Sequence, residues 1–410
     1  VPNSTDKGNA IRNLPNLRFP EFSEEWKEHE LSEYLDFKNG LNPKPNQFGK
    51  GIKFISVMDI LNNAVITYDC IRASVSVSEE DMSAFSVQKG DILFQRSSET
   101  LEDVGRANVY VDDIPAVFGG FVIRGKQKTN YNPLFFKYLL SSPLARKRII
   151  RMGAGAQHFN IGQEGLSKVK LPFACIDEQN KIAKILYLLD KRILLQNKII
   201  EDLKKQKSAI IENVFNGKYS EKLQLNDVGS YIRGLTYSSN DVVEHGGTLV
   251  MRSNNIVNGS LLDYNNNVVF VNKQMSAEQQ LRNGDVVICM ANGSSSLVGK
   301  SSFYDGNCHS PITVGAFCGI YRSKEPIVKW LFQTNKYRRY IWNSLQGGNG
   351  AIANLNGEDI LNMSFSIPNA PIKDTCVKML TSVDSALENN MSLCALYTLQ
   401  KQYLLRQMFI

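Results

Sequence analysis

Two stretches of the chain, residues 177–215 and 372–410, contain neither glycine nor proline and repeat apolar residues in heptads. The heptad positions are Leu189, Ile193, Ile200, Leu203, Ile210 and Val214 in the first stretch and Val383, Leu387, Cys394, Tyr397, Leu404 and Met408 in the second. A sustained period of 3.5 residues is typical of a seam between packed helices. The pattern predicts two long helices of up to ~55 Å each, and an amphipathic helix packed on its own domain is the alternative.

Polar residues interrupt the two heptad patterns at matching places. Gln196 corresponds to Asn390 and Lys207 to Lys401, in each case 194 residues apart. A lysine left against apolar side chains is costly unless it finds a partner. If the helices are related by a pseudo-two-fold axis and run antiparallel, we predict that Gln196 faces Lys401 and Lys207 faces Asn390, so that facing residue numbers add to 597. Leu203 would then contact Cys394 near the middle of the seam.

The residues in front of each long stretch predict short strands, turns and a helix. A helix is expected over 132–150, with a counterpart over 325–342, followed in each case by a glycine-rich loop and a short strand that ends in proline. The clearest predicted strands are IKFISVMDI (52–60), DILFQR (91–96) and ANVYVDD (107–113).

The chain contains an internal repeat of about 194 residues. The segment KGDILFQRSSETLEDVGRANVY at 89–110 aligns with NGDVVICMANGSSSLVGKSSFY at 283–304. Other matches continue in both directions at shifts of 194 to 196 residues. The repeat predicts two similar α+β domains related by a pseudo-two-fold axis. Because residue 410 corresponds to residue 216, the chain near Ser23 should lie close to the end of the second long helix.

The segment GSSSLVGKSS at 293–302 looks like a phosphate-binding loop, but its spacing excludes one. Five residues separate Gly293 from Gly299, whereas the phosphate loop of nucleotidases requires four. The first repeat has Gly-Arg-Ala where the second has Gly-Lys-Ser. What the two copies share is a strand, a variable polar loop and Val-Gly followed by a basic residue.

The composition and the missing motifs exclude several classes of protein. With 43% hydrophobic and 21% charged residues the chain is globular, and its 410 residues suffice for two or three domains. Seven scattered cysteines without a CxxC pair argue against disulfides or zinc and for a reducing cytoplasm. Sequence patterns of hydrolases, metalloproteases and dinucleotide enzymes are missing. We therefore expect no catalytic, cofactor-binding or metal-binding residues, and the net charge of +7 is compatible with nucleic acid.

These motifs resemble the specificity subunits of type I restriction–modification systems. The resemblance rests on LRFPEFSEEWKEHELSEY near the start, on GDILFQR and VGRANVY, and on a proline followed by Glu-Gln-x-Lys-Ile-Ala at the first long helix. The second copy, PIKDTCVKML, lacks the Glu-Gln pair. The resemblance implies two target-recognition domains held apart by two antiparallel helices. The expected boundaries are 1–175 for an N-terminal segment and the first recognition domain, 176–217 for the central helix, 218–369 for the second domain and 370–410 for the last helix.

The resemblance also implies a function for the chain. Each recognition domain would read one half of a split, asymmetric double-stranded DNA site, and the helices would set the gap between the halves. Two modification subunits would carry S-adenosylmethionine, and restriction subunits would use ATP, so the chain itself would be a non-catalytic, cytoplasmic adaptor. A free-standing two-module DNA-binding regulator is the alternative, and an independent methyltransferase or ATPase is a third class.

Base edges in the major groove are read by Arg, Lys, Asn and Gln side chains, and the loops that differ between the repeats contain many of these. The glycine-rich loops at 153–161 and 347–355 could bring backbone N–H groups to phosphates. For each single residue, a solvated loop position is the alternative. The candidate DNA contacts are Arg106 and Lys300, followed by Arg96, Gln157, His158 and Arg252.

Overall fold

The computed structural model describes residues 13–155, 157–217, 219, 221–345 and 353–410. The chain divides into two compact units, the first formed by 1–197 with 393–410 and the second by 198–392. Each unit contains one mixed α+β domain and a part of both long helices. Most of the second predicted glycine-rich loop, at 347–355, lies outside the described residues.

The first unit contains two four-stranded sheets with the orders β2-β10-β6-β8 and β4-β3-β9-β5, and the small pairs β1-β12 and β7-β11. In the second sheet β3 and β9 run parallel, and the other pairs are antiparallel. The strands are β1 Lys27–Glu30, β2 Leu35–Asn39, β3 Phe48–Ile55, β4 Ala73–Val75, β5 Ser86–Val87, β6 Ile92–Gln95, β7 Ser97–Ser98, β8 Ala107–Val109, β9 Ala116–Phe118, β10 Val122–Gln127, β11 Phe159–Asn160 and β12 Lys170–Phe173.

The second unit repeats this arrangement with the sheets β14-β22-β18-β20 and β15-β17-β16-β21 and the pairs β13-β24 and β19-β23. Its first sheet matches that of the first unit strand for strand, and β16 and β21 form the equivalent parallel pair. The strands are β13 Lys222–Gln224, β14 Gly229–Arg233, β15 Val242–Val243, β16 Thr248–Met251, β17 Val269–Val271, β18 Val286–Cys289, β19 Ala291–Asn292, β20 Ser301–Phe303, β21 Ile312–Val314, β22 Cys318–Ser323, β23 Ala353–Asn354 and β24 Ser364–Ser366.

The helices include the two long ones that the heptads predict, α7 and α12. Short 3-10 turns occupy Pro45–Gln47, Ser239–Asp241, Ser253–Asn255 and Ser295–Leu297. The α-helices are α1 Leu31–Tyr34, α2 Val57–Asn62, α3 Glu79–Phe85, α4 Pro133–Ser141, α5 Pro143–Ile150, α6 Gln163–Ser167, α7 Ile176–Phe215, α8 Leu225–Val228, α9 Val328–Leu331, α10 Asn335–Leu345, α11 Gly357–Leu361 and α12 Ala370–Gln407. Within the described ranges, no helix is long and apolar enough to cross a bilayer.

Four predicted elements differ from the structure. The strand expected over 107–113 ends at Val109, and the helix expected over 325–342 is divided into α9 and α10. The other two differences have local reasons. The strand expected over 52–60 ends at Ile55, because helix α2 begins two residues later. Ser56 precedes this helix, and its backbone N–H donates a hydrogen bond to the Asp59 carboxylate at 2.8 Å, which caps the first turn. The helix expected over 132–150 is split into α4 and α5. Pro143 cannot donate a backbone hydrogen bond to the preceding turn, and the Ser142 hydroxyl caps the new helix instead.

The Val-Gly-basic motif of both repeats is a structural turn. Gly105 and Gly299 have φ angles of +68° and +81°, which favour glycine. A Cβ at Gly105 would lie 2.5 Å from the Ile149 side chain, and one at Gly299 would lie 2.8 Å from Ile341. The Gly299 N–H donates to the Cys289 carbonyl oxygen at 2.8 Å. The segment at 293–302, which resembles a phosphate-binding loop, is therefore a turn that packs closely against helix α10.

The Glu-Gln pair at the start of α7 anchors two other segments of the first unit. The buried Glu178 carboxylate accepts hydrogen bonds from the Arg18 guanidinium at 2.7 and 2.8 Å and from Trp26 Nε1 at 3.0 Å. Gln179 Oε1 accepts from the Asn132 backbone N–H at 3.0 Å, just before α4. These contacts explain why the motif is specific to the first repeat, since Ser220 stands at the position equivalent to Trp26.

The N-terminal segment lies against the end of α12, as the closure of the repeat predicts. The Leu17 backbone N–H donates to the Gln407 carbonyl oxygen at 2.8 Å. The rings of Trp26 and Phe409 meet edge-on with their centroids 6.1 Å apart. The prediction that the chain near Ser23 lies close to the end of the second long helix is thus confirmed.

In the first unit, a buried carboxylate joins α7, α12 and α4. Asp190 accepts hydrogen bonds from Lys401 Nζ at 2.5 Å, Lys137 Nζ at 3.3 Å and the Tyr138 hydroxyl at 2.8 Å. Burial lowers the pKa of Lys137 to about 8 despite the attraction of Asp190. Burial also tends to raise the pKa of Asp190, but the two ammonium groups outweigh it and leave that pKa below its usual value.

The second unit contains the equivalent cluster at the equivalent positions. Asp384 accepts from Lys207 Nζ at 2.7 Å, from Lys329 Nζ at 3.3 Å and from Trp330 Nε1 at 3.0 Å. Lys207 Nζ also donates to the Gly259 carbonyl oxygen at 2.7 Å. Burial lowers the pKa of Lys207, against the effect of Asp384. A buried ion cluster of the same design therefore ties the long helices to the domain in each unit.

The contacts between the two long helices do not follow the predicted register. Lys401 pairs with Asp190, and these two residue numbers add to 591 instead of the 597 predicted for facing residues. Cys394 Sγ likewise lies 3.3 Å from Asn197 Oδ1, which shows that the helices run antiparallel within this unit.

The second unit has the same register. Lys207 pairs with Asp384, and these two residue numbers also add to 591. The physical reason is that a buried ammonium group is stabilised more by a carboxylate than by an amide oxygen. The two aspartates lie beside the apolar heptad positions, so the heptad pattern did not identify them as partners.

Candidate nucleic-acid interface

In the first unit, Arg96 and His158 flank opposite ends of the short β7-β11 pair. Arg96 links β6 to β7, and its carbonyl oxygen accepts from the Ile161 N–H at 3.0 Å. Its guanidinium Nη1 donates to the Gly120 carbonyl oxygen at 3.2 Å. Because a guanidinium carries five N–H donors, this contact leaves others for a ligand. Arg96 thus combines a role in ordering the loop with a partly exposed positive charge.

A groove of about 850 Å³ opens beside these loops. Its polar lining includes Ser97, Ser98 and His158 together with the carboxylates of Glu99 and Asp103, and its apolar lining includes Phe54, Met58 and Phe121. The Ser97 hydroxyl donates to Asn160, across the short β7-β11 pair. The groove therefore combines hydrogen-bonding groups with apolar side chains.

Two other candidates of the first unit lie apart from this lining. Gln157 is exposed, next to His158. Arg106 forms an ion pair of 2.6 Å with Asp103 and lines a separate cleft of about 450 Å³ that also includes Arg146. Burial, with a smaller contribution from the nearby Arg106, lowers the pKa of Arg146 to about 10. The structure thus places a second arginine, which the sequence did not single out, beside Arg106.

In the second unit, Arg252 follows β16 directly. Its backbone N–H donates to Asn255 Oδ1 at 2.9 Å, and its Nη2 donates to the Asn267 carbonyl oxygen at 3.2 Å. The neighbouring Ser253 hydroxyl accepts from Asn292 Nδ2 at 3.3 Å. These contacts bring two loops together that the sequence places about forty residues apart.

Lys300 lines a different cleft of about 380 Å³. Its backbone is held by the turn, because the Lys300 carbonyl oxygen accepts from the Cys289 N–H at 2.9 Å. Arg338 and the exposed Trp342, both on α10, line the same cleft. Sequence reasoning missed these two residues, although their spacing of four on a predicted helix was a usable signal.

The candidate loops carry several polar and basic side chains. They present guanidinium, ammonium, amide and hydroxyl groups, which bind phosphates and base edges. Among the described residues, no group of three or more His, Cys, Asp or Glu side chains could hold a metal ion.

Both halves of the chain match one family model. The model describes the type I restriction modification DNA specificity domain and matches residues 23–205 and 218–393. Each match contains one of the two repeated sheet frameworks.

Curated relatives match parts of the chain. A putative type I restriction enzyme MjaX specificity subunit from Methanocaldococcus jannaschii is 27% identical over 208 residues, which are 50% of this chain and 48% of that protein. The type I restriction enzyme EcoKI specificity subunit from Escherichia coli is 34% identical over 155 residues, 35% of this chain and 31% of that protein. The chain thus spans about half the length, or less, of the curated relatives that it matches.

A solved structure is similar over nearly the whole chain. It is the S subunit of a type I restriction–modification system from M. genitalium, with a TM-score of 0.63 and 14% identity. The match covers 97% of this chain and 99% of that one. At this identity, the likeness shows a common fold.

Proposed function

Because this chain belongs to the family of type I restriction–modification DNA specificity domains, we propose that it is the DNA sequence-recognition subunit of a type I restriction–modification complex. The observation that carries the proposal is a duplicated sheet framework with different loops. The sheets β2-β10-β6-β8 and β14-β22-β18-β20 have the same strand order, yet Arg96-Ser97-Ser98 follows β6 where Met290-Ala291-Asn292 follows β18. A common scaffold with divergent polar loops suits the reading of two different half-sites.

Basic clusters support contacts with the DNA backbone. Arg106 lies near Arg146 in the first unit, and Lys300 shares a cleft with Arg338 in the second. Such groups bind phosphates and release counterions, so binding should weaken steeply with salt.

Apolar stripes on the long helices support docking of partner subunits. In the first unit, both helices expose large apolar side chains at spacings of three and seven residues, which place them on one face of each helix. Exposed apolar patches of this kind are typical of interaction sites. The residues are Ile185, Leu188 and Leu195 on α7 and Leu396, Leu399 and Tyr403 on α12.

The partners that we propose are two methyltransferase subunits, which would carry S-adenosylmethionine, and restriction subunits, which would use ATP. In this complex the chain itself would be a non-catalytic scaffold. All seven cysteines are free thiols, which supports a reducing compartment such as the cytoplasm.

The test is to co-purify the chain with a methyltransferase subunit from the same source and to select duplexes from a randomised pool. We expect enrichment of a split site with two unequal halves and a fixed gap. Arg106→Ala and Lys300→Ala should each weaken binding to one half-site only, as expected if these two side chains read bases while their neighbours Arg146 and Arg338 contact phosphates. An equal loss on all DNA would make the replaced residue a backbone contact instead. The salt dependence should be steep, with a log–log slope that falls by about 1 for each phosphate contact removed.

Three results would contradict this proposal. The first is that no sequence is enriched, and the second is that the methyltransferase subunit fails to bind the chain. The third is tight, specific binding by the chain alone at physiological salt, which would favour a free-standing regulator. Leu188→Asp is the matched probe of the partner surface: it should weaken co-purification and leave the fold of the chain unchanged.

A further inference from the structure

Each unit presents an exposed phenylalanine at the same place in its fold. Phe121 lies in the turn between β9 and β10, and Phe317 lies in the turn between β21 and β22. The two residues are 69% and 66% exposed. Burial of a phenylalanine side chain normally stabilises a protein by about 1.5–3 kcal/mol, so neither position contributes this to the core.

The turn of the first unit holds its phenylalanine firmly. The Val122 N–H donates to the Gly119 carbonyl oxygen at 2.8 Å, which closes the turn. The Phe121 carbonyl oxygen accepts from the Arg96 N–H at 2.9 Å, and the Gly119 N–H donates to Ile55 at 3.0 Å. The ring is thus displayed from a backbone that is hydrogen-bonded on both sides.

The second unit has the same hydrogen bonds. The Cys318 N–H donates to the Gly315 carbonyl oxygen at 2.8 Å, and the Phe317 carbonyl oxygen accepts from the Met290 N–H at 2.9 Å. The Gly315 N–H donates to Met251 at 2.8 Å. The side chains around the ring nevertheless differ, since Arg96 is replaced by Met290 and Gly120 by Ala316. Both repeats therefore have an exposed phenylalanine at this position, although the neighbouring residues differ.

Polar residues lie near each phenylalanine. Phe121 shares its groove with Ser97, Ser98 and His158, and also with the carboxylates of Glu99 and Asp103. In the second unit, the Ala291 N–H donates to the Phe317 carbonyl oxygen at 3.1 Å, and Asn292 follows Ala291 in the chain. Hydroxyl, amide and carboxylate groups bind the donors and acceptors of base edges, and an aromatic ring can contact their apolar atoms.

We propose that Phe121 and Phe317 are a matched pair of aromatic DNA contacts, each packing its ring against bases of the half-site that its own unit reads. This inference rests on the proposed function. A rigidly displayed apolar ring can pack against a thymine methyl group or wedge against a base step. Such a contact neutralises no phosphate, so it differs from the basic candidates in its salt dependence.

The test uses the co-purified complex and the duplex that the wild type selects. Phe121→Ala should weaken binding of this duplex roughly 5- to 150-fold, as expected for a lost stacking contact. The salt slope should stay unchanged. Duplexes altered in one half at a time should show that Phe121→Ala relaxes the sequence preference in one half and Phe317→Ala in the other. Phe121→Tyr, which retains the ring, should keep most of the affinity.

Ile114→Ala is the matched control, because Ile114 is 52% exposed and precedes the same strand β9 at its opposite end. This variant should bind DNA like the wild type. If the wild type selects a split site but both alanine variants bind it with full affinity and preference, the aromatic contact is refuted and the proposed function stands. A uniform loss on all DNA with a reduced salt slope would also refute it. If the wild type prefers no sequence, the proposed function fails and the inference fails with it.

Discussion

Replacement of Asp384 by asparagine should strongly destabilise the second unit. Asp384 is 4% exposed, and its carboxylate balances the ammonium groups of Lys207 and Lys329 at 2.7 and 3.3 Å. Asparagine has nearly the same shape and can still accept a hydrogen bond from Trp330, so the change removes the negative charge with little loss of packing. Two ammonium groups would then share a buried site without a counter-charge.

The expected cost follows from this burial. Removing one partner of a buried ion pair costs about 3–5 kcal/mol, because the remaining charge is desolvated and unbalanced. This is a large fraction of the 5–15 kcal/mol that stabilise a typical domain. The penalty should also shrink as the pH rises toward about 10. In the variant the folded-state pKa of Lys207 falls further below its unfolded value of about 10.4, so the unfolded state binds more protons and stability increases with pH in that window.

Urea unfolding at pH 7 and pH 9.5 measures both effects, with the fluorescence of Trp330 as a probe of the second unit. Asp202→Asn is the matched control on α7, because Asp202 and Lys205 form an exposed pair of 3.9 Å. An exposed pair contributes at most about 1 kcal/mol. Adding Lys207→Met to the Asp384→Asn variant should recover part of the loss, because it removes one of the two unbalanced charges.

This reasoning is refuted if Asp384→Asn costs less than about 1 kcal/mol, or no more than Asp202→Asn. It is also refuted if Lys207→Met worsens the aspartate variant. In the complex that we propose, the same variant should tolerate a wider range of gap lengths between half-sites, since the ion cluster penalises other registers of α7 and α12.

Two further predictions concern the first unit. Gly40→Ala should lower the free energy of unfolding, measured in urea, by about 2 kcal/mol or more, because the new Cβ would lie 2.1 Å from the Gly119 carbonyl oxygen. Gly162→Ala is the control and should be nearly neutral, because its new Cβ would meet no neighbouring atom within 4 Å. Equal effects of the two variants would contradict the steric argument. Burial lowers the pKa of Lys137 to about 8, so the wild type should gain stability as the pH rises from 8 to 10, whereas Lys137→Met should lack this gain. Parallel stability curves for the two proteins would disprove the assigned pKa.

The repeat and the long helices could be predicted because their signals are local or periodic. Runs without glycine or proline and heptads of apolar residues specify α7 and α12 with little help from the rest of the fold. The shift of 194 residues likewise predicted equivalent sheets, and β2, β6, β8 and their counterparts fall at that shift. Ser56 and Pro143 are local signals for the start of a helix, and they mark the boundaries at which α2 and α5 begin.

The candidate loops could be located from the sequence, but the groups that share a groove could not. Divergence between the repeats marked the segments around Arg96 and Lys300. Whether Lys300 would lie beside Trp342, or Arg106 beside Arg146, depends on how the helices pack on the sheets. The exposure of Phe121 is a similar case, because an aromatic residue after two glycines reads equally well as a core residue.

The sequence by itself therefore determined the duplication and the helix lengths, and its resemblance to a known family implied the antiparallel pairing. Only the tertiary structure decided the register. Heptads repeat every seven residues, so apolar layers match almost equally well in several registers. The choice depends on where buried lysines find carboxylates, and these come from positions beside the heptad seam. Asp190 and Asp384 become partners only when the domain behind them supplies Lys137 and Lys329 as well. A buried charge is so costly without its counter-charge that the ion clusters, and not the apolar seam, select the register.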